Sequence, residues 1–107
     1  AAVTTAQITY AARNSDFDGF AINEGDYLAL LDGKLFGTER DITSLLTRLA
    51  ALAAEREAAF VTLFYGEGVS QEEAEAAQAL FTEACPETEI SLLSGGQPVY
   101  YYTISIE

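Results

Sequence analysis

Few side chains in this sequence could support acid–base, nucleophilic or metal chemistry. The chain contains no His, and Cys85 is its single cysteine. One thiol without imidazole partners cannot form a zinc site, and no Ser or Cys has a histidine to activate it. Cys85 precedes Pro86 at a predicted helix end, which favours a small buried apolar residue over a nucleophile. The residue types therefore argue against a catalytic centre.

Gly66 and Gly68 follow a predicted buried strand, at a place where open α/β sheets often bind ligands. The pattern falls short of a dinucleotide or phosphate loop, because Gln71 stands where a third glycine would be and no Lys follows. Glu67 between the two glycines would also repel a phosphate. A plain turn between strand and helix is therefore favoured over an anion site.

Asp16 and Asp18 place two carboxylates close together, just before Gly19. They lack the further oxygen ligands, at the required spacing, of an EF-hand calcium loop. Asp and Gly are frequent in turns because they tolerate positive φ angles. A turn is therefore favoured over a metal site.

The most specific local feature is the segment from Gly95 to Pro98. Its two glycines permit positive φ or a close backbone approach, and Gln97 has both a donor and an acceptor. Such a segment could be a structural turn alone or a contact surface for a ligand or a protein. The three tyrosines that end at Tyr102 favour contact, because Tyr is enriched in interfaces.

Residues from Val99 to the end of the chain predict a final strand, since most are β-branched or aromatic. Alternation along a strand would turn one set of residues toward the core: Tyr100, Tyr102, Ile104 and Ile106. The opposite face, which includes Tyr101, would suit a covering helix, a neighbouring domain or a partner. A chain end that is tied down in this way is expected inside the sheet.

The first third of the chain indicates a β-meander. Residues 7–13 alternate as a strand does, and residues 17–22 contain the turn at Asp18 and Gly19. Residues 27–31 and 34–37 flank an Asp-Gly pair, which is a strong hairpin signal because a type I′ turn needs positive φ at both central residues.

Two helices follow, with a strand between them. Asp41 is a predicted N-cap for a helix to about residue 57, and Ser70 with Glu73 forms a capping box for a helix that Pro86 ends. Residues 60–65 are a nearly continuous apolar run, which is typical of a strand covered on both faces. With the next predicted strand, at 89–93, they would form a right-handed parallel βαβ unit.

These elements predict an α/β fold, with α+β as the alternative. The mixed sheet would combine the parallel βαβ unit with an antiparallel C-terminal strand and two helices, preceded by the N-terminal β-meander. The 107 residues are enough for one domain, spanning positions 1–107.

The net charge of -12 opposes binding to nucleic acids or to anionic lipid surfaces. This charge is consistent with two interpretations: a solvated acidic surface, or electrostatic attraction to a basic partner. No apolar run reaches the roughly 18 to 20 residues of a membrane span. A single cysteine fits a reducing compartment, so we expect a cytoplasmic protein. The start without Met indicates processing or a fragment excised from a longer protein.

Several motifs occur in a characteristic order: Thr9-Tyr10-Ala11-Ala12-Arg13, Phe17-Asp18-Gly19, Glu24-Gly25-Asp26-Tyr27, Asp32-Gly33-Lys34, Tyr65-Gly66-Glu67, and the run from Gly95 to Glu107. From about Gln7 to its end, the chain resembles the C-terminal part of the bacterial fatty acid kinase catalytic subunit. This family is also called dihydroxyacetone-kinase-like or DAK-phosphatase-like.

The resemblance implies that ATP and Mg are held by an N-terminal domain of the parent protein, and that this chain has no cofactor, catalytic residue or metal ligand of its own. The chain would be the second half of a DegV-like C-terminal region, which docks a fatty-acid-binding DegV-family protein whose acyl chain is phosphorylated. The predicted partner- or ligand-binding residues are Gly95, Gly96, Gln97, Pro98, Tyr100, Tyr101, Tyr102, Tyr65, Gly66, Glu67, Asp18 and Gly19.

Two other functions stay open. The chain could bind a small molecule itself, either an acyl chain or a phosphate. It could instead have an architectural role, by packing on other domains of the same chain or by forming a homodimer.

Overall fold

The fold is built on a six-stranded mixed sheet and two helices, in a computed structural model that describes residues 3–17 and 19–107. Asp18, one of the predicted site residues, lies outside the described residues. In chain order the described elements are β1 (Thr4–Tyr10), β2 (Ser15–Phe17), β3 (Phe20–Ile22), β4 (Tyr27–Leu31), β5 (Lys34–Glu39), α1 (Ile42–Glu55), β6 (Phe60–Tyr65), α2 (Gln71–Ala84), β7 (Glu89–Ser94) and β8 (Tyr102–Ile106).

The large sheet has the strand order β5-β4-β1-β8-β6-β7, so the last strand of the chain is central. β8 is antiparallel to both neighbours, and Ile104 lies opposite Ala6 of β1 and Leu63 of β6. β6 and β7 are parallel and are joined through α2. These findings confirm the predicted α/β fold, with its parallel βαβ unit and its antiparallel C-terminal strand inside the sheet.

The N-terminal strands form the predicted meander, with a small hairpin inserted in it. β4 and β5 are joined by Asp32 and Gly33, whose φ angles of 50° and 83° fit the predicted type I′ turn. β2 and β3 form a separate two-stranded sheet, in which Phe17 lies opposite Phe20. A small apolar cluster connects this hairpin to β4 and β5: Ala11, Ile22 and Leu28, with Phe17, Leu30 and Leu35 against them.

Both helices pack on the same face of the large sheet, where the main core lies. Leu45 and Leu49 of α1 and Phe81 of α2 are fully buried in it. The strand residues of this core are Ala6, Ile8, Ala29, Val61, Leu63, Tyr102, Ile104 and Ile106. The radius of gyration of 13.1 Å matches the value of about 13 Å for a compact domain of this length.

The prediction that residues 60–65 are covered on both faces is wrong. Val61 and Leu63 are fully buried under the helices, whereas Phe60 is 49% exposed and Thr62 and Phe64 are half-buried on the opposite face. The apolar run reflects large side chains on a partly open face, because α1 and α2 both lie on the other side of the sheet.

The final strand is shorter than predicted, since it begins at Tyr102 and not at Val99. Tyr102, Ile104 and Ile106 face the core as expected, but Tyr100 lies outside the strand and is half-buried. The predicted place of Tyr100 on the core face is therefore wrong. The physical reason is that the preceding residues form hydrogen bonds with the ends of β1 and β6 in a loop conformation.

One other boundary also differs from prediction. β1 lies three residues earlier than predicted, because Ala11 leaves the strand to exchange backbone hydrogen bonds with Gly25 and Asp26 at 2.9 and 2.8 Å. At the end of α2, Cys85 is buried. The prediction of Cys85 as a small buried residue is confirmed.

The capping box at the start of α2 leads to a first prediction. The Ser70 hydroxyl accepts a hydrogen bond from the Glu73 backbone N–H at 3.1 Å, and the Glu73 carboxylate accepts one from the Ser70 N–H at 3.0 Å. We predict that Ser70→Ala lowers the free energy of unfolding by about 1 kcal/mol, because the helix N-terminus loses its cap. Denaturant titration measures this change. Thr82→Ala, at an exposed position of the same helix, should change it by less than about 0.5 kcal/mol, and equal losses would contradict the role of the cap.

Candidate functional site

Two loops meet at the edge of the sheet where β6 and β7 end and β8 begins. We call residues 66–69 and 95–101 the paired loops; the first leads from β6 toward α2, and the second leads from β7 to β8. Open α/β sheets usually bind ligands beyond the carboxyl ends of their parallel strands. The paired loops contain most of the predicted site residues.

Backbone hydrogen bonds hold the paired loops together. The Gly66 N–H donates to the Tyr101 carbonyl at 2.8 Å, and the Glu67 N–H donates to the Gln97 carbonyl at 3.1 Å. These bonds join the first residues after β6 to the last residues before β8. Each loop therefore fixes the conformation of the other.

Gln97 holds the second loop against β6. Its side-chain Nε2 donates to the Phe64 carbonyl at 3.1 Å, and its Oε1 packs over Gly95, where a Cβ would overlap it. The backbone N–H groups of Gly95 and Gly96 both donate to the Tyr65 carbonyl, at 2.9 and 3.1 Å. The Gln97 amide, which the sequence predicts to contact a partner or a ligand, is thus engaged in positioning the loop.

Gly66 lies where the second loop crosses the first. A Cβ on Gly66 would overlap the carbonyl oxygen of Tyr100 and would lie 2.8 Å from the carbonyl oxygen of Gln97. A Cβ on Gly68 would lie 2.9 Å from the ring of Tyr101. Gly66 is therefore needed for the close approach of two backbones.

An open groove of about 520 Å³ lies beside the paired loops, between α1 and the first half of α2. Tyr101 and Gly68 of the paired loops line it, together with Tyr27 of β4. Its apolar lining from the helices and the turn before α2 comprises Ile42, Leu46, Val69, Ala76, Ala77 and Leu80. The groove could receive an apolar side chain or a short apolar ligand.

Three tyrosines form a row from β1 to the paired loops. The rings of Tyr10 and Tyr27 are 5.2 Å apart, edge to face, and those of Tyr27 and Tyr101 are 5.7 Å apart. Burial raises the pKa of Tyr27, and the neighbouring Tyr101, Tyr10 and Glu73 add to the effect. Tyr27 and Tyr101, the two members of this row that line the groove, therefore give one of its walls aromatic surface.

Tyr102 lies deeper, where β8 meets α2. It is 2% exposed, and its hydroxyl donates to the Glu73 carbonyl at 3.4 Å. Two effects raise the pKa of Tyr102 to about 12: burial is the larger, and the negative charge of Glu73 is the smaller. Tyr102 joins the central strand to the first turn of the helix that borders the groove.

The side of the molecule that carries the paired loops is acidic. From residue 57 onward the sequence contains no Lys or Arg. Four of its glutamates lie in the first loop or the first half of α2: Glu67, Glu72, Glu73 and Glu75. The other five lie toward the opposite end of the strands: Glu57, Glu83, Glu87, Glu89 and Glu107. The ion pairs found in the described residues lie in the other half, with Arg40 3.3 Å from Asp26 and Arg48 3.0 Å from Glu39. The acidic side chains around α2 therefore create a negative potential beside the groove.

The predicted site residues from Tyr65 to Glu67 and from Gly95 to Tyr102 come together at one edge of the sheet. Gly19 does not join them, because it lies in the turn between β2 and β3, with a φ of 82°. Sequence reasoning missed Tyr27 as a groove residue. No local signal could have identified it, since it reaches Tyr101 only through the pairing of β4 with β1.

Over residues 3–17 and 19–107, no three His, Cys, Asp or Glu side chains are placed to hold a metal ion. Across that same part of the chain, no helix is long and apolar enough to cross a membrane. The groups that this site offers to a ligand or a partner are aromatic rings, phenol hydroxyls, carboxylates and apolar side chains.

The fold and the site define a two-layer α/β domain with crossed loops and a groove at one sheet edge. A similar fold occurs in the crystal structure of a fatty acid binding DegV family protein from Streptococcus agalactiae, with a TM-score of 0.55 and 16% sequence identity. The match covers 97% of this chain and 44% of that chain. At this identity the likeness concerns the fold.

A family model that describes the C-terminal domain of FakA-like fatty acid kinase proteins matches residues 1–107, and the chain belongs to this family. It is similar to Protein YloV of Bacillus subtilis (strain 168), with 35% identity over 105 residues, and to an uncharacterized protein of Staphylococcus aureus (strain USA300), with 26% identity over 105 residues. Each match covers 98% of this chain and 19% of the relative. These findings confirm the resemblance drawn from the sequence motifs.

The crossing at Gly66 leads to a second prediction. Gly66→Ala should lower the free energy of unfolding by about 3 kcal/mol, because the added methyl group overlaps a backbone carbonyl that cannot turn away without breaking the loop contacts. Gly33→Ala is a matched control, since its Cβ meets open space and only its positive φ is strained; it should cost about 1 kcal/mol. Denaturant titration of both variants measures the difference, and an equal loss would contradict the close approach at Gly66.

The buried phenol of Tyr102 leads to a third prediction. Its pKa in the folded state, about 12, lies above the ordinary value of 10.0, so folding favours the protonated form. The resulting contribution of the Tyr102 phenol to the free energy of unfolding is fully present below pH 10 and is lost as the pH rises from 10 toward 12. In Tyr102→Phe the free energy of unfolding should be about 1 kcal/mol lower at neutral pH and should fall less steeply in this alkaline range. Denaturant titrations at several pH values test this, and identical slopes in the two proteins would contradict it.

Proposed function

We propose that this chain is the non-catalytic docking domain of a fatty acid kinase. It binds a fatty-acid-binding DegV-family protein, so that the acyl chain carried by that protein can be phosphorylated by another part of the kinase. Membership of the FakA-like fatty acid kinase family supports this context. In this proposal ATP and Mg bind in an N-terminal domain of the longer protein, which acts in the cytoplasm.

The observation that carries the proposal is the pair of backbone hydrogen bonds that join the paired loops beside the groove. The bonds from Gly66 and Glu67 to the second loop hold Tyr101 against the groove before any partner arrives. A preformed surface loses little conformational entropy on binding, which favours protein–protein contact. Tyr is also a frequent source of interface binding energy.

The charge of this half of the domain supports a partner with a basic surface. Glu67 lies within the first loop, and Glu72, Glu73 and Glu75 lie in the first turns of α2. Opposite charges steer two proteins together and raise the association rate. The proposed partner therefore presents Lys or Arg side chains around its contact with the groove.

A second candidate is direct binding of an acyl chain in the groove. The groove volume of about 520 Å³ and its apolar lining favour this function. A phosphate ligand is less favoured, because the N–H groups of Gly66, Glu67, Gly95 and Gly96 already donate within the domain. An architectural role, with a second copy of the chain on this surface, is a third outcome that sedimentation would detect.

Our fourth prediction concerns docking itself. In calorimetric titrations of the full-length protein with the fatty-acid-binding DegV-family protein, Tyr101→Ala should weaken binding at least about tenfold, because it removes a large aromatic contact at the groove. Phe60→Ala, at a more exposed aromatic position at the opposite end of β6, should leave the affinity unchanged. Raising the salt concentration should weaken binding, since the charges are screened.

Three outcomes would contradict this proposal. These are no binding by the wild-type protein, equal losses in the two variants, or binding that is independent of both Tyr101 and salt. A parallel titration with a fatty acid alone distinguishes direct binding of an acyl chain from docking of the protein partner. Saturable binding of the free acid that Tyr101→Ala abolishes would support a ligand groove.

A further inference from the structure

Val99 is held in a backbone conformation that valine rarely adopts. Its φ angle is 74°, and the Tyr100 N–H donates to the Pro98 carbonyl at 2.8 Å across it. A hydrogen bond between residues two apart, with positive φ at the central residue, is the rare and strained form of the γ-turn. A positive φ is especially unfavourable for a β-branched residue.

The side chain of Val99 points into solvent. It is 74% exposed, more than any other large apolar residue in the described part of the chain. Burial of the Val99 side chain therefore does not offset its backbone strain within this domain. Glycine or asparagine would adopt the same turn more easily, so stability alone does not favour valine here.

The surrounding structure fixes this turn on both sides. The Val99 carbonyl accepts a hydrogen bond from the Thr9 hydroxyl at 3.0 Å, and the Tyr101 N–H donates to the Ile8 carbonyl at 2.8 Å. The Tyr101 carbonyl in turn accepts from Gly66 at 2.8 Å. β1 and β6 thus hold the tip of the second loop, and strain of this kind persists only where neighbours impose it.

We propose that Val99 is the apolar anchor of the docking surface and inserts into an apolar pocket, rimmed by basic side chains, on the protein partner. This inference rests on the docking function proposed above and specifies one residue within it. An apolar side chain that is already ordered loses little entropy when it is buried in a complex. The acidic residues of the neighbouring loop and helix favour the basic rim, because the contact of Val99 would bring that rim close to them.

The position of Val99 fits this role. Val99 is part of the same loop as Tyr101, which lines the groove, so a partner that covers the tip can also reach the groove. Pro98 beside it is exposed and limits the motion of the backbone before the turn. A rigid apolar tip next to an aromatic groove can enter a pocket on the partner without first being ordered, which lowers the entropic cost of binding.

Two variants separate an anchor from a merely strained turn. Val99→Ala keeps the unfavourable φ and removes two methyl groups, whereas Val99→Gly removes the side chain and also relieves the strain. In the full-length protein we expect both to bind the fatty-acid-binding DegV-family protein at least about tenfold more weakly than wild type does. For Val99→Gly we also expect native-state hydrogen exchange of β8 to slow by about fivefold, because the folded domain becomes more stable.

The decisive result is the combination of higher stability and weaker binding in Val99→Gly, which a structural role could not produce. Unchanged affinity in both variants, with Tyr101→Ala still weakening the complex, would overturn the anchor and leave the docking function intact. If the wild-type protein does not bind the partner, both proposals fail. Phe20→Ala, at another exposed apolar position in the β2–β3 hairpin, is the matched control and should leave the affinity unchanged.

Discussion

The position of β8 between β1 and β6 is the constraint on which the rest of the structure depends. β7 lies outside β6 and is parallel to it, so the chain leaves β7 at the same edge where the antiparallel β8 must begin. Residues 95–101 therefore have to pass over the end of β6. Gly66 lies at this crossing, and the Tyr100 carbonyl occupies the space that a side chain would need. The requirement for glycine thus follows from the strand order.

The same crossing creates the surface that we propose for docking. Because the second loop is tied to β6 through Gln97 and to β1 through Thr9, its outer side is presented in one conformation. Tyr101 turns toward the groove and Val99 toward solvent. The N–H groups of Gly66, Glu67, Gly95 and Gly96 donate within the domain, so this edge differs from the phosphate-binding loops that often occupy this place in α/β folds. What it offers to a partner is aromatic and apolar surface among carboxylates.

Much of the fold was predictable because its signals are local. The Asp-Gly turn, the Ser70 capping box and the strand–helix–strand spacing each depend on residues close in sequence. The conformation at Val99 was not predictable in this way. Its β-branched and aromatic neighbours favour a strand, but contacts with β1 and β6, distant in sequence, impose a loop. The prediction that β6 is covered on both faces failed for a similar reason. A run of apolar residues occurs both in strands covered by helices on two faces and in strands with one partly exposed face.

The geometry of the candidate site was predictable only in part. Glycines and tyrosines marked the second loop, whereas the role of Gln97 as a bridge to Phe64 and the contribution of Tyr27 to the groove depend on strand pairing. The excess of carboxylates was visible from composition, but the position of Glu67, Glu73 and their neighbours beside the groove required the fold.

The central claim is that a partner binds at the paired loops and the groove. The most direct test is a two-dimensional NMR titration of the isotope-labelled chain with the unlabelled fatty-acid-binding DegV-family protein. We predict that the largest signal changes occur in residues 66–69, 95–101 and the first half of α2, and that the open face of the sheet around Phe60 and Thr62 changes little. Changes concentrated on that open face or on the β2–β3 hairpin, or no changes at saturating partner concentration, would contradict the claim.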